Sequence, residues 1–108
     1  MKTERFEARP DCPFADIQPV IRGKWTVIIV YFLSKGPLRF GELSRKLPMV
    51  TQAKLTRELR TLEEFGLVHR EVYREVPPKV EYSLTDKGSA FLPVVDALVN
   101  FARAFQPG

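Results

Sequence analysis

Residues Leu38 to Phe65 read LRFGELSRKLPMVTQAKLTRELRTLEEF, and their spacing decides the fold. Phe40, Leu43 and Leu47 recur at helical spacing, Pro48-Met49-Val50 interrupts the pattern, and a longer periodic segment opens at Thr51. The Thr51 hydroxyl is suited to accept from a backbone N–H two or three residues on, the usual start of a helix. At about 100° per residue, Leu55, Leu59 and Leu62 fall on one face of that segment. Ala53, Arg57, Arg60 and Glu64 fall on the opposite face, with Lys54 and Thr61 beside them. Gly66 is suited to end the helix in the left-handed conformation. A short helix, a tight break and a longer basic helix predict a helix-turn-helix, the second helix being the candidate reader of a DNA major groove.

Charge is concentrated in the same stretch. Between Arg39 and Arg60, six basic residues (Arg39, Arg45, Lys46, Lys54, Arg57 and Arg60) stand against Glu42 and Glu58. Their excess equals the net charge of the whole chain, +4, so everything outside this segment sums to zero. An anionic partner is therefore expected at this motif and not over the surface at large.

Toward the C-terminus the period changes. Val68, Arg70, Val72 and Arg74 alternate with His69, Glu71 and Tyr73; after Glu75-Val76-Pro77-Pro78-Lys79, Val80, Tyr82 and Leu84 share one face. Two strands joined by a proline-stiffened loop make a hairpin, and a hairpin after a helix-turn-helix is a wing. Thr85 then caps a last helix, with Asp86 complementing its dipole and Pro93 expected to kink it. Val94, Leu98, Phe101 and Phe105 form one stripe on that helix, and Val95, Val99 and Ala102 the adjacent one. That is more apolar surface than a terminal helix of a small monomer needs, so an interface is expected there.

Toward the N-terminus, Lys24 to Ser34 (KWTVIIVYFLS) is apolar nearly all round. Its β-branched run Val27-Ile28-Ile29-Val30 suits a strand, whereas its length and the Gly36-Pro37 stop favour a buried central helix. Before it, Pro13 suits the first position of a helix with Cys12 as its cap. Phe14, Ile17 and Ile21 would then share one face, Pro19 would kink or shorten the helix, and Gly23 would end it. Met1 to Asp11 is charged and aperiodic and reads as a mobile arm, leaving residues 12–106 as the domain.

One hundred and eight residues make one domain with a modest core. The longest apolar run, Val27 to Leu33, falls far short of the roughly 20 residues a membrane span requires, and no secretory signal is visible. A single cysteine excludes an intrachain disulfide and fits a reducing cytoplasm. There is no Gly-rich phosphate loop, nucleophile elbow or metal motif, so no cofactor and no enzymatic activity are expected. His69, the only histidine, has no cysteine cluster to join and reads as a strand-surface residue.

These blocks together resemble the HxlR-type winged-helix transcriptional regulators, relatives of the MarR group. The resemblance covers about Cys12 to Phe105. It rests on Cys12-Pro13, Gly23-Lys24-Trp25-Thr26, Gly36-Pro37-Leu38-Arg39-Phe40-Gly41-Glu42-Leu43, the Leu55-Thr56, Leu59 and Leu62-Glu63 helix with Gly66-Leu67-Val68, and the block from Glu75 to Thr85 ending in Gly88. It implies a mainly α winged helix-turn-helix with a small β-hairpin, in which the N- and C-terminal helices form a dimer interface. It further implies a homodimer on a pseudo-palindromic operator in double-stranded DNA, with repression as the default.

Site residues follow. Thr51, Gln52, Lys54, Thr56 and Arg57 occupy the N-terminal half of the reading helix; Arg57 suits guanine O6/N7 and Gln52 adenine N6/N7, whereas Lys54 and Arg60 suit phosphate. Arg74 and Lys79 flank the wing loop, and Arg39 precedes the motif as a further phosphate candidate. The dimer surface would combine Phe14, Ile17 and Ile21 with Val94, Val95, Leu98, Val99, Phe101 and Phe105. At a helix start Cys12 would have a lowered thiol pKa, opposed by Asp11. Family members resemble redox or electrophile sensors through a cysteine at this position, so an oxidant or small-molecule effector is one expectation and an inert residue the other. A winged helix serving only protein interaction, with no operator, is the alternative function.

Overall fold

The computed structural model describes residues 14, 16–23 and 25–105. The residue 1–11 arm, Cys12 and Pro13 lie outside the described residues. Five helices and three strands follow in the order α1 (Gln18–Arg22), α2 (Thr26–Leu33), β1 (Leu38–Arg39), α3 (Phe40–Lys46), α4 (Gln52–Glu64), β2 (Val68–Tyr73), β3 (Lys79–Leu84) and α5 (Asp86–Ala104).

The leucine seam of the long basic helix is the centre of the core. Leu55, Leu59 and Leu62 of α4 are fully buried, together with Ile29 and Val30 of α2, Leu43 of α3, Val20 of α1 and Val95 of α5. Burying each such side chain stabilises the fold by roughly 1.5–3 kcal/mol. The apolar segment before it is the central helix α2. Ile29, Val30 and Leu33 are buried, and Val27, Ile28, Tyr31 and Phe32 pack half-buried against the same core. Contacts on nearly every side of α2 outweigh the few tenths of a kcal/mol per residue by which β-branched side chains disfavour helix.

The first helix differs from expectation. It begins at Gln18, with Ile17 as its N-cap residue, and Pro19 sits in its first turn. A helix opening at Pro13 would have set Pro19 against the Ala15 carbonyl; starting at Gln18 puts the proline where no intrahelical N–H is needed. Ile17 still accepts the first helical bond, from the Ile21 N–H at 3.2 Å, whereas Phe14 lies outside α1.

The hairpin carries a third strand that periodicity did not announce. β2 and β3 pair antiparallel from Val68 opposite Leu84 to Tyr73 opposite Lys79. β1 adds on the other side of β3, with Leu38 opposite Tyr82 and Arg39 opposite Glu81, giving the order β1-β3-β2. Two residues are too few to show an alternation, so only the pairing reveals this strand. It fastens the start of α3 to the wing.

The elements are joined at α4's exit. Gly66 has φ +77°, the left-handed stop that a side chain disfavours. The Thr85 hydroxyl donates to the Gly66 carbonyl and accepts from the Gly88 N–H at 3.0 Å, so one side chain ties the end of α4 to the start of α5. Gly88 packs directly on that turn: a Cβ there would lie 2.1 Å from the Leu67 carbonyl oxygen. α5 continues through Pro93 to Ala104. Among the described residues no helix is long and apolar enough to cross a membrane.

Candidate nucleic-acid interface

α4 leaves the core with one face free. Thr51 is its N-cap, the hydroxyl accepting from the Lys54 N–H at 3.1 Å, an interaction worth about 1 kcal/mol. Thr51, Gln52, Ala53, Arg57, Arg60 and Glu64 are exposed opposite the buried leucines. A positive face thus stands proud of a rigid seam, which is the geometry a groove-reading helix needs. Backbone supports it: Arg39 starts α3, its N–H donating to Glu42 Oε1 at 2.7 Å, while its own side chain remains exposed.

The two flanks of α4 differ. On the flank toward α1 and α2, Lys54 Nζ pairs with Glu58 Oε2 at 3.2 Å; the carboxylate is nearly buried and the ammonium partly exposed. Glu58 also reaches the corner at Gly23, where its Oε1 would lie 3.0 Å from an added Cβ. Lys54, expected to reach phosphate, is thus turned partly to an internal acid. A buried glutamate in a basic helix left no periodic signal, because its position lies just at the edge of the leucine seam.

On the flank toward the wing, the Thr56 hydroxyl donates to the Gln52 carbonyl at 2.8 Å, so it stiffens the first turn and its proton is already used. Thr56, Arg60, Glu63, Arg70 and Tyr82 line a cleft of about 160 Å³ between α4 and the sheet. Arg70 Nε lies 3.5 Å from Glu63 Oε1. Burial raises the Tyr82 phenol above its ordinary value, with Glu63 adding to the effect and Arg70 and Arg60 opposing it. Arg70 and Tyr82 were not among the expected site residues; only the strand register, which sets them opposite each other, shows that they share a face.

In the wing, Arg74 is exposed directly after β2, and Lys79 Nζ sits 4.5 Å from the centroid of the Tyr73 ring. The Tyr73 hydroxyl donates to Glu81 at 3.3 Å. Nearby carboxylates, Glu81 foremost, hold that phenol above its usual value. The loop between the strands, from Arg74 to Pro78, is exposed throughout.

The last helix carries an exposed apolar stripe. Val94, Leu98, Phe101 and Phe105 on α5 are 47%, 50%, 65% and 71% exposed, and Phe14 and Ile21 are exposed too. The Phe101 and Phe105 rings touch at a tilt of 38°, with centroids 4.9 Å apart. Val99 and Ile17 are half-buried. Val95 departs from the expected set: at 1% exposed it belongs to the core of its own chain and has no surface to offer a partner. With Phe91 and Leu92 packed against the same core, it holds α5 to the domain.

A basic helix over an apolar core, followed by an antiparallel wing, defines a winged helix-turn-helix protein. The chain belongs to the HxlR-like helix-turn-helix family, whose sequence model matches residues 20–108. It is 49% identical over 85 residues to an uncharacterized HTH-type transcriptional regulator of Methanothermobacter thermautotrophicus (strain Delta H), covering 79% of this chain and 65% of that relative. The redox regulator HypR in its oxidized form superposes with a TM-score of 0.84 at 44% identity, over 90% of this chain and 100% of that one. A MarR-family chain from Porphyromonas gingivalis W83 gives a TM-score of 0.82 at 35% identity, over 95% and 97% of the two chains. The protein is a transcriptional regulator of the helix-turn-helix type, as its relatives are named.

Proposed function

We propose that this regulator is a homodimer that binds a pseudo-palindromic operator in double-stranded DNA and represses transcription from it. The observation that carries the reading is the exposed face of α4, with Thr51, Gln52, Arg57 and Arg60 standing opposite the buried leucines. Arg57 reads guanine and Gln52 adenine through paired hydrogen bonds to base edges. Arg60 and Arg39 hold phosphate, Lys54 contributes charge from the flank, and Arg74 and Lys79 bring the wing to the adjacent minor groove.

The apolar stripe on α5 supports self-association. Four large side chains, each about half exposed or more, form a patch that a soluble monomer rarely leaves open. Joined to its copy about a two-fold axis, the stripe sets the two α4 helices on half-sites about one helical turn apart, or a multiple of it. Phe14 and Ile21 are exposed and Ile17 and Val99 half-buried, and in this reading they extend the dimer surface. The protein acts in the cytoplasm by binding and not by catalysis.

The signal is redox. Cys12 is the sole thiol of the chain, and similarity to the redox regulator HypR supports a sensing role for it. Oxidation of a single cysteine gives a bridge between the Cys12 residues of two copies, a mixed disulfide, or a sulfenic acid. Selecting bound duplexes from a random pool, with and without oxidant, tests the whole reading. An inverted repeat should be enriched, and oxidant should change its recovery. A pool without enrichment, or binding insensitive to salt, would overturn operator recognition.

A further inference from the structure

The cleft between α4 and the wing has a composition that neither helix nor strand explains alone. Arg60 comes from the helix, Arg70 from the middle of β2, and the Tyr82 hydroxyl from β3, with Glu63 the one acid among them. Arg70 is half exposed and paired with Glu63 at 3.5 Å, a long contact that holds the guanidinium over the cleft without saturating its donors. The Tyr82 phenol is a donor in its ordinary protonated form, and burial only raises its pKa further. Thr56 contributes only an oxygen, since its proton goes to the Gln52 carbonyl.

Duplex geometry says what passes there. With α4 in a major groove and the wing in the neighbouring minor groove, the sugar-phosphate strand that separates the two grooves must run between α4 and the sheet. We propose that the Arg60–Arg70–Tyr82 cleft is a clamp for one backbone phosphodiester of that strand, and that Glu63 holds Arg70 in place until the phosphate displaces it. The inference rests on the DNA-binding reading above and adds Arg70 and Tyr82 to it. Two guanidinium groups and a phenol converging on one small cleft supply three donors to a tetrahedral anion, and the contact carries no sequence information. The exchange is one of partners only: the carboxylate of Glu63 gives way to a phosphate oxygen on the same donor.

Salt titrations of duplex binding by wild type, R70Q, R70K and E63Q test the clamp, with circular dichroism confirming the fold of each variant. R70Q should lose affinity by the same factor on operator and mixed-sequence DNA, and its slope of log Kobs against log salt should shallow by about one. R70K should recover most of that slope, and E63Q should bind both duplexes more tightly than wild type. A wild-type slope in R70Q, or a loss confined to one base pair, would overturn the clamp while leaving operator binding intact. Failure of wild type to bind any duplex would instead remove the reading beneath it. In parallel, inorganic phosphate titrated against wild type, with the Tyr82 ring followed by NMR, separates the sources. Saturable binding of the free ion in a protein that ignores duplex DNA would overturn the assignment to a backbone phosphodiester.

Discussion

Lys54 and Glu58 form an ion pair 3.2 Å long on the flank of α4 that faces the α1–α2 corner. The pair draws one of the basic side chains of α4 toward an internal carboxylate. Removing the lysine would leave Glu58, with one-tenth of its side chain in solvent, without the ion-pair partner it has among the described residues. Lys54→Ala should therefore destabilise the fold by about 1–2 kcal/mol, less than a fully buried pair because the ammonium is partly solvated. Urea denaturation checks it; an unchanged midpoint would return Lys54 to a pure DNA-contact role.

Arg57 stands on the face of α4 opposite the buried leucines, exposed, in the second turn after the Thr51 cap. Arg57→Ala should lower specific affinity by roughly 1–3 kcal/mol and relax preference at one base pair. Fluorescence anisotropy against operators substituted one position at a time measures both. A uniform loss across all sequences would make Arg57 a phosphate contact.

Leu98 lies at the centre of the α5 stripe and is 50% exposed in the single chain. A charge there is harmless to a monomer but would be desolvated and unpaired in a dimer interface. Leu98→Asp should give a folded monomer by sedimentation. A variant that still sediments as a stable dimer would move the interface away from α5.

Gly88 has no room for a side chain. The Leu67 carbonyl oxygen lies 2.1 Å from where a Cβ would stand, and that atom belongs to backbone, which cannot rotate aside. Gly88→Ala should force α5 off the α4–β2 turn and cost about 1–3 kcal/mol. Thermal unfolding gives the value, and a melting temperature equal to wild type would mean that the turn yields freely.

Cys12 carries the proposed signal. Cys12→Ser preserves the size of the side chain and removes its redox chemistry. Binding of reduced protein to the operator should be unchanged, and any response to oxidant should disappear. Equal responses in variant and wild type would end the sensing proposal.

The winged helix was legible in the sequence because its signals are local. Leu55, Leu59 and Leu62 repeat at the helical period, Thr51 and Thr85 cap where Ser or Thr caps, and Gly66 stops α4 by a φ that few other residues adopt. The exposed face of α4 follows from the same periodicity, since a seam buried on one side exposes the residues half a turn away. α2 was the harder case, its β-branched run fitting strand or helix alike until packing on all sides decided it.

What only the tertiary structure decided are relations between distant residues. Strand β1 exists through its pairing with β3, and two residues carry no period from which to infer it. Pro19 marks the beginning of α1 and not a break in it, because the helix starts at Gln18. Val95 and Val99 look alike along α5, yet one is core and the other half-open, a distinction made by packing. Glu58 is buried, and Arg70 meets Glu63 and Tyr82, by virtue of elements folded against α4. Sequence periodicity determines which face of an element turns inward, since hydrophobic burial acts residue by residue. Which charges then meet across the gaps depends on where the elements come to rest, and that is settled by the packing of the whole chain.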